Sequence, residues 1–254
     1  MRTVHCVTVT HGPSTTVAAM LESLSRTTRG LGREVSVTVV VQPDASGATA
    51  SSELAPFAEW VDVVEPGANL GFGPANNLGA SRSDSYAIAF LNPDLELVEG
   101  WLEPLVSALA KNDRVAIAAP PLLTSEGHLE EAGASVDSDG LTIGMGGERS
   151  DVSYADAMRD RDVTYASAAC WLVRRSAFEA VDGFDPAFVP AYYEDVDLAL
   201  RLKEAGFRSR LVMHRPVVHH HSGPDAGRAS IAERSRERFV ARWGETLQND
   251  SAEV

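Results

Sequence analysis

The chain has 254 residues, of which 44% are apolar and 23% are charged, as is typical of a globular protein with a sizeable core. Its formal net charge of −14 argues against broad, sequence-independent binding to nucleic acid. An anionic small ligand would need a divalent cation, backbone amides or a helix N-terminus to hold it. The two cysteines, Cys6 and Cys170, are too few for a disulfide framework or a cysteine-rich metal site.

The sequence has no apolar run approaching the ~18 residues that a transmembrane helix needs. Its N-terminus carries a single Arg2, and polar residues such as His5 and Thr8 interrupt the apolar ones, unlike a secretory signal peptide. We therefore expect a cytoplasmic protein without an integral membrane segment.

Strands and helices alternate through the first half of the chain. Val4 to Val9 predicts a strand that stops at His11-Gly12-Pro13, and Ser14 can cap the following helix. The β-branched run Val35 to Val41 is typical of a parallel strand covered on both faces. Further strands are predicted at Trp60 to Val64, Tyr86 to Leu91 and Val115 to Ala119, and helices at Ser51 to Ala58, Ala75 to Ser81 and Trp101 to Ala110. The alternation predicts an α/β fold with a doubly wound, mostly parallel sheet and helices on both faces.

The pattern loosens from Pro120 to Asp162 into glycine-rich, acidic sequence, which we interpret as a mobile segment on the substrate side. The elements predicted after it are an ordered stretch from Val163 to Arg174, helices at Ser176 to Val181 and Asp195 to Ala205, a last strand at Leu211 to His221 and a docked C-terminal helix from Arg228 to Trp243. We accordingly divide the chain into one domain at 1–225 and a helical tail at 226–254. Within the domain, a first half is placed at about 1–120 and a second half at about 121–225.

Asn92-Pro93-Asp94 follows a predicted apolar strand. Pro93 holds Asn92 extended and ends the strand, so Asp94 projects at the carboxyl edge of the sheet, where ligands bind in open α/β folds. A carboxylate there can hold Mg²⁺ or Mn²⁺, with phosphate oxygens and water as further ligands. For this segment taken alone, a turn aspartate that caps the next helix is the better interpretation.

Three acids, Glu194, Asp195 and Asp197, lie at a predicted helix start directly after Tyr192 and Tyr193. Favourable placement of acids in a first helical turn explains them without catalysis. A carboxylate kept ionised at a helix N-terminus can also act as a general base toward a hydroxyl. The two tyrosines directly before the acids offer aromatic faces that could pack against a bound ligand.

Two further segments carry weaker signals. The predicted last strand ends in three histidines, His219, His220 and His221. Neighbouring strand residues point to opposite faces, so one of these histidines could share a metal ion with Asp94. The alternative is that all three are surface histidines at a strand end. Gly67 to Asn77 places a glycine-rich loop before a helix, where amides can face phosphate. That loop lacks the ending of a Walker loop and does not follow the first strand, as a dinucleotide fingerprint would.

The order of these segments resembles the family 2 glycosyltransferases with the GT-A fold, and within them the rhamnosyltransferase-like branch. The resemblance covers Val4 to Gly223 and rests on the loop at Asn69 to Gly79, Asn92-Pro93-Asp94, Cys170 to Phe178 with Gly183-Phe184-Asp185, Tyr193 to Leu198 and the Val-x-His ending at His219. It implies inverting transfer of a sugar from a nucleotide-diphosphate donor, dTDP-rhamnose or a UDP-sugar, to an acceptor hydroxyl. Cell-surface polysaccharide or glycoconjugate synthesis is the implied setting.

The resemblance also implies the roles of individual residues. Asp94 and His219 would bind Mg²⁺ or Mn²⁺, and Asp195 would be the catalytic base with Glu194 as its catalytic neighbour. The implied donor-binding residues are Thr10, His11, Gln42, Asp44, Asn69, Gly71, Asn76, Asn92 and Asp94. The implied acceptor-binding residues are Trp171, Tyr192 and Tyr193.

Three departures from the family pattern are visible. Gln42-Pro43-Asp44 stands where the family has an Asp-Asn pair, so either Gln42 or, after a local shift, Asp44 takes the place that contacts the nucleotide base. His11-Gly12-Pro13 replaces a Tyr-Asn or Phe-Asn pair, and Ala168 stands where glycine is usual. A donor-binding protein of the same fold without catalysis is therefore one alternative function.

A sugar nucleotidyltransferase is a second alternative, but it needs a basic residue after the first strand for the triphosphate, and Thr10 to Ser14 contains no Lys or Arg. The expected partners are a nucleotide-sugar donor and a glycan, lipid-linked or small-molecule acceptor. A homodimer and a peripheral position at the inner face of the membrane are further options.

Overall fold

The computed structural model describes residues 2–144, 159–220 and 226–252. Its strands are β1 (Val4–His11), β2 (Val35–Gln42), β3 (Val61–Val64), β4 (Ala87–Leu91), β5 (Leu95–Glu96), β6 (Val115–Ala119), β7 (Leu122–Leu123), β8 (Leu129–Glu131), β9 (Ala134–Val136), β10 (Thr142–Gly144), β11 (Arg161–Val163), β12 (Cys170–Arg174), β13 (Arg208–Leu211) and β14 (Val217–His219). Its α-helices are α1 (Thr16–Thr28), α2 (Ser51–Leu54), α3 (Phe72–Ala80), α4 (Leu102–Lys111), α5 (Arg175–Ala180), α6 (Glu194–Glu204) and α7 (Ala226–Ala252). Short 3₁₀ turns occupy Ala55–Phe57 and Pro186–Phe188.

An eight-stranded sheet in the order β11-β13-β6-β12-β4-β1-β2-β3 forms the centre of the fold. Strands β3, β2, β1 and β4 are parallel, and so are β6 and β13. Two strands reverse the direction: β12 is antiparallel to β4 and β6, and β11 is antiparallel to β13. The predicted α/β fold with a mostly parallel sheet is confirmed, with the refinement that the sheet is mixed.

Helices cover both faces of this sheet, which explains why the central strands lack alternation. All residues of β4, β6 and β12 are buried, as expected for strands covered on both sides. One buried cluster joins the sheet to α1 and α4, and the other joins it to α5, α6 and α7. Helix α7 contributes Phe239, Trp243 and Leu247 to the second cluster, so the C-terminal helix belongs to the single domain.

The predicted last strand from Leu211 to His221 is wrong as a single element. Strand β13 ends at Leu211 in the large sheet, whereas β14 lies in a separate four-stranded sheet with the order β5-β14-β7-β8. Pro216 stands between the two strands, and proline has no N–H for a strand ladder. His221 lies outside the described residues.

The glycine-rich interval from Pro120 to Asp162 contains strands β7 to β10 and the beginning of β11. These strands are two or three residues long, too short to produce a recognisable period of two. Residues 145–158, the rest of the segment that we predicted to be mobile, lie outside the described part. Across the described ranges, no helix combines the length and apolar character needed to span a membrane.

Candidate active site

The carboxyl ends of β1, β2 and β4 meet at one edge of the sheet because these strands are parallel and adjacent. Strand β12 is antiparallel and therefore begins at the same edge, with Cys170 opposite Leu91. The backbone amide of Asn92 donates a 2.8 Å hydrogen bond to the carbonyl of Ala169. The Asn92-Pro93-Asp94 segment is thus joined directly to the residues that precede β12.

The structure brings Asp94 and His219 together. Strand β14 pairs antiparallel with β5, with His219 opposite Leu95, and the amide of His220 donates to the carbonyl of Asp94 at 2.9 Å. Nε2 of His219 consequently lies 3.3 Å from Oδ1 of Asp94. His220 instead lies 3.3 Å from the exposed carboxylate of Glu96, so the two adjacent histidines contact different carboxylates.

Glu130, on β8, contacts the other nitrogen of the His219 ring. Its Oε1 lies 3.0 Å from Nδ1 of His219, which places the imidazole between two carboxylates. Burial opposes protonation of His219, but the hydrogen bonds and charges of Asp94 and Glu130 outweigh it and raise its pKa to about 9. Glu130 carries no recognisable signal in the sequence, because it lies in a three-residue strand and meets His219 only through the fold.

The Asp94–His219 pair fits a divalent cation. Two ligands each ~2.1 Å from one ion and ~90° apart are ~3.0 Å from each other, close to the 3.3 Å between Nε2 and Oδ1. Among the residues that the structure describes, no group of three or more His, Cys, Asp or Glu side chains is arranged to hold a metal. Further ligands would therefore come from a diphosphate and water, as is usual for Mg²⁺.

Asp195, the predicted base, lies in the first turn of α6 and points toward the segment before β12. Its Oδ2 accepts from the amide of Ala168 at 3.3 Å, and its Oδ1 accepts from the amide of Val196 at 2.8 Å. Burial raises the pKa of Asp195 against the effect of these donors. The sequence predicts that the helix N-terminus keeps Asp195 ionised, but burial has the larger effect on its pKa. A carboxylate with a raised pKa is a stronger base.

Glu194 differs from Asp195 in its surroundings although the two are adjacent. It is 6% exposed, and its Oε2 has no hydrogen-bond partner among the described residues. Burial, and then the charge of Asp195, raise the pKa of Glu194 well above its usual value. Burial therefore favours the protonated form of Glu194.

The predicted acceptor residues lie in different environments. Tyr192 and Tyr193 are half-buried and have φ values of +73° and +67°, a region that bulky residues rarely adopt. The hydroxyl of Tyr193 donates to the carbonyl of Gly140 at 2.9 Å, and its ring lies 5.1 Å from that of Phe239 on α7. Tyr193 thereby connects the residues before α6 to α7.

The structure corrects the role predicted for Trp171. This side chain is fully buried, and its Nε1 donates to the carbonyl of Ala166 at 2.9 Å. The indole stacks on Phe184 with ring centroids 6.4 Å apart. An acceptor sugar has no access to a ring enclosed in this way, so Trp171 serves the core behind the site.

The predicted donor residues divide by exposure. Thr10, Gln42 and Asn76, which we predicted to bind the donor, are buried. Asn76 donates to the carbonyl of Phe72 at 3.0 Å, and Oε1 of Gln42 accepts from the amide of Leu70 at 2.6 Å. Gln42 thus anchors the glycine-rich loop.

His11 is the last residue of β1, opposite Gln42 at the end of β2, and Asp44 follows β2 by two residues. His11 is exposed and Asp44 is half-buried. Oδ1 of Asp44 accepts from the amides of Ser46 and Ala48, and its hydrogen bonds to Ser46 hold the Asp44 pKa below its usual value. Asn69 is exposed in the glycine-rich loop, where its Oδ1 accepts from the amide of Gly71 at 2.8 Å.

Comparison with known proteins decides the family. The family model described as glycosyl transferase family 2 matches residues 6–182. This chain belongs to that family. The resemblance read from the sequence is therefore confirmed, and the protein is a glycosyltransferase.

Two curated relatives of this glycosyltransferase are rhamnosyltransferases. N-acetylglucosaminyl-diphospho-decaprenol L-rhamnosyltransferase of Mycobacterium tuberculosis is 30% identical over 237 residues, covering 84% of this chain and 75% of that protein. Rhamnosyltransferase WbbL of Escherichia coli is 26% identical, covering 85% of this chain and 83% of that protein. Both relatives support the rhamnosyltransferase-like branch.

A solved structure of GalNAc-T7 with UDP, GalNAc and Mn²⁺ shares the fold of this glycosyltransferase. The TM-score is 0.74 at 15% sequence identity, over 95% of this chain and 48% of that one. The chain thus spans about half the length of that neighbour. At this identity the likeness shows the fold alone.

Gly71 connects the glycine-rich loop of the glycosyltransferase to the segment before α6, and its replacement gives a first test of this geometry. Its φ of +82° and ψ of 175° lie in a region restricted to glycine, and a Cβ there would lie 2.8 Å from the carbonyl oxygen of Pro190. Gly71→Ala should lower the free energy of unfolding in urea by ~1–3 kcal/mol. Gly67→Ala is the matched control, because Gly67 has a similar φ of +75° but open space around its Cβ. Equal losses in both variants would mean that the Pro190 contact contributes nothing.

Proposed function

We propose that this glycosyltransferase transfers a sugar, with inversion, from a nucleotide-diphosphate donor to an acceptor hydroxyl. One observation carries the proposal: a single segment connects the two sets of reactive groups. The amide of Ala168 donates to the carboxylate of Asp195 at 3.3 Å. The carbonyl of Ala169 accepts from the amide of Asn92 at 2.8 Å, and Asn92 lies two residues before Asp94. The neighbouring residues Ala168 and Ala169 therefore connect the proposed base to the segment that carries the proposed metal ligand Asp94.

In the proposed reaction, Asp195 takes the proton of the acceptor hydroxyl while that oxygen attacks the anomeric carbon. The bond between this carbon and the diphosphate oxygen breaks, and the nucleotide diphosphate departs with the electron pair. Attack from the face opposite the leaving group inverts the configuration. Asp94 and His219 would hold the Mg²⁺ or Mn²⁺ ion, which supplies charge stabilisation for the leaving diphosphate.

The donor is proposed to be dTDP-rhamnose, with a UDP-sugar as the second choice, because two relatives are named as rhamnosyltransferases. Asp44 is the better candidate for the nucleotide base, since Gln42 is buried against the glycine-rich loop. Residues 1–120 would bind the nucleotide and residues 121–225 the acceptor.

The acceptor is proposed to be a lipid-linked sugar, because the Mycobacterium tuberculosis relative is named for such a substrate. A glycosyltransferase with this acceptor would act as a peripheral protein at the inner face of the membrane, in the synthesis of a cell-surface glycan.

The proposal is tested by thermal unfolding with dTDP or UDP, in Mn²⁺ and in chelator. A ligand at ~100 times its dissociation constant stabilises a folded protein by ~2.7 kcal/mol, so one of the two should raise the melting temperature, and only with Mn²⁺. Asp94→Ala should lose this increase. Glu96→Ala is the control, because Glu96 lies two residues away and contacts the exposed His220.

Two results would count against the proposal. Equal stabilisation in chelator and in Mn²⁺ would remove the metal role, as would wild-type behaviour of Asp94→Ala. Binding of dTDP with no transfer from dTDP-rhamnose to an N-acetylglucosaminyl-diphospho lipid would favour a binding protein of the same fold without catalysis.

A further inference from the structure

We propose that strand β8 supplies one positioning carboxylate to each half of the site, Glu130 for His219 and Glu131 for the segment that holds Asp195. The inference rests on the proposed function for the roles of His219 and Asp195. Neither glutamate belongs to the motifs that carry the family resemblance. Their positioning roles are inferred from contacts that only the folded chain makes.

Glu130 fixes the orientation of the His219 ring. Its carboxylate is 3.0 Å from Nδ1, while Nε2 lies 3.3 Å from Asp94. The side chains of His219 and Glu130 are 5% and 25% exposed, so solvent competes little for this contact. A carboxylate at one ring nitrogen selects the tautomer and directs the other nitrogen toward a metal. Glu130 therefore acts on the metal through His219.

Glu131 fixes the segment that holds Asp195. Its Oε1 accepts from the amide of Ser167 at 2.7 Å, and the next amide, that of Ala168, donates to Asp195 at 3.3 Å. Two consecutive amides thus hold one carboxylate from β8 and one from α6. Burial raises the pKa of Glu131 to about 7 against the effect of the hydrogen bond from Ser167, and the charge of Asp195 adds to the rise.

An irregularity in β8 explains how neighbouring residues reach both targets. Strand β8 pairs with β7 through Leu122 opposite Glu131 and Leu123 opposite Leu129, with a register shift between them. Glu130 is the extra residue at this shift. Such bulges re-aim side chains and are frequent beside active sites.

The test uses Ala and Gln variants at each glutamate and two readouts. In calorimetric titration with Mn²⁺ in the presence of dTDP, Glu130→Ala should bind the metal ~10–100-fold more weakly, Glu130→Gln should lose less, and the Glu131 variants should match the wild type. In donor turnover, measured as Mn²⁺-dependent release of dTDP from dTDP-rhamnose, Glu131→Ala should lower kcat by up to ~10²-fold with the donor KM unchanged. Glu131→Gln should restore most of the rate, because its amide oxygen still accepts from Ser167.

Glu96→Gln is the matched control, since it alters a second Glu–His contact, with His220 at 3.3 Å, and should change neither readout. Thermal unfolding of every variant checks that it is folded, and the Gln variants preserve side-chain volume where Ala does not. Wild-type Mn²⁺ affinity in Glu130→Ala would overturn the Glu130 assignment. A Glu131→Gln variant as slow as Glu131→Ala would overturn positioning by Glu131. A wild-type protein that binds Mn²⁺ with neither dTDP nor UDP would overturn the proposed function itself, and with it this inference.

Discussion

Asp195→Asn should lower the rate of sugar transfer by ~10²–10⁴-fold, the usual contribution of a general base, while donor affinity stays nearly unchanged. Asparagine keeps the size of the side chain. It also keeps an oxygen that can accept from the amide of Ala168, as Oδ2 of Asp195 does at 3.3 Å. It removes the basicity that burial enhances in Asp195. The measurements are kcat with dTDP-rhamnose and a lipid-linked acceptor, and the dissociation constant of the donor in Mn²⁺.

Glu194→Gln is the internal control for this prediction. Glu194 is buried and has a pKa well above its usual value, so glutamine imitates its protonated form and should leave most of the activity. A fully active Asp195→Asn beside an inactive Glu194→Gln would reverse the roles of the pair. Activity in both variants would place the base elsewhere.

Asp197→Ala should destabilise the folded state by ~3–5 kcal/mol, the range for removal of one partner from a buried ion pair. Asp197 is fully buried; its Oδ2 accepts from Arg201 at 2.7 Å, and its Oδ1 accepts from Arg242 at 2.7 Å and Trp243 at 3.0 Å. Removal leaves the buried indole N–H of Trp243 without its acceptor. The side chain of Arg242 is 37% exposed, so water can rescue part of the loss and we expect a value near ~3 kcal/mol. Urea unfolding measures the change.

The control for Asp197 is Glu233→Ala on α7. Glu233 makes an exposed ion pair with Arg236 at 2.7 Å, and such pairs contribute ~0–1 kcal/mol. If Asp197→Ala costs no more than Glu233→Ala, the attachment of α7 to α6 does not depend on this carboxylate. From the sequence, Asp197 lies in the first turn of a helix and should matter mainly for positioning and helix stability. In the structure it also connects α6 to α7.

The order of elements and the segments that carry chemistry followed from the sequence by itself. The run Val35 to Val41 indicated a strand covered on both faces, because burial on two sides removes polar alternation. Asn92-Pro93-Asp94 indicated a carboxylate at the edge of the sheet, because proline ends a strand by local geometry. The family resemblance likewise depended on short motifs in a fixed order. Each of these signals is contained within about ten residues, the length of a strand and its turn.

Contacts between segments far apart in the chain could be decided only by the tertiary structure. Glu130 meets His219 across 89 residues and Glu131 meets Ser167 across 36, from a strand too short to have a period. Trp171 lies in a motif of the family, but Phe184 and the carbonyl of Ala166 enclose it. The pKa of Asp195 rises because burial, which depends on all the packed elements together, outweighs the helix terminus that the sequence indicates locally.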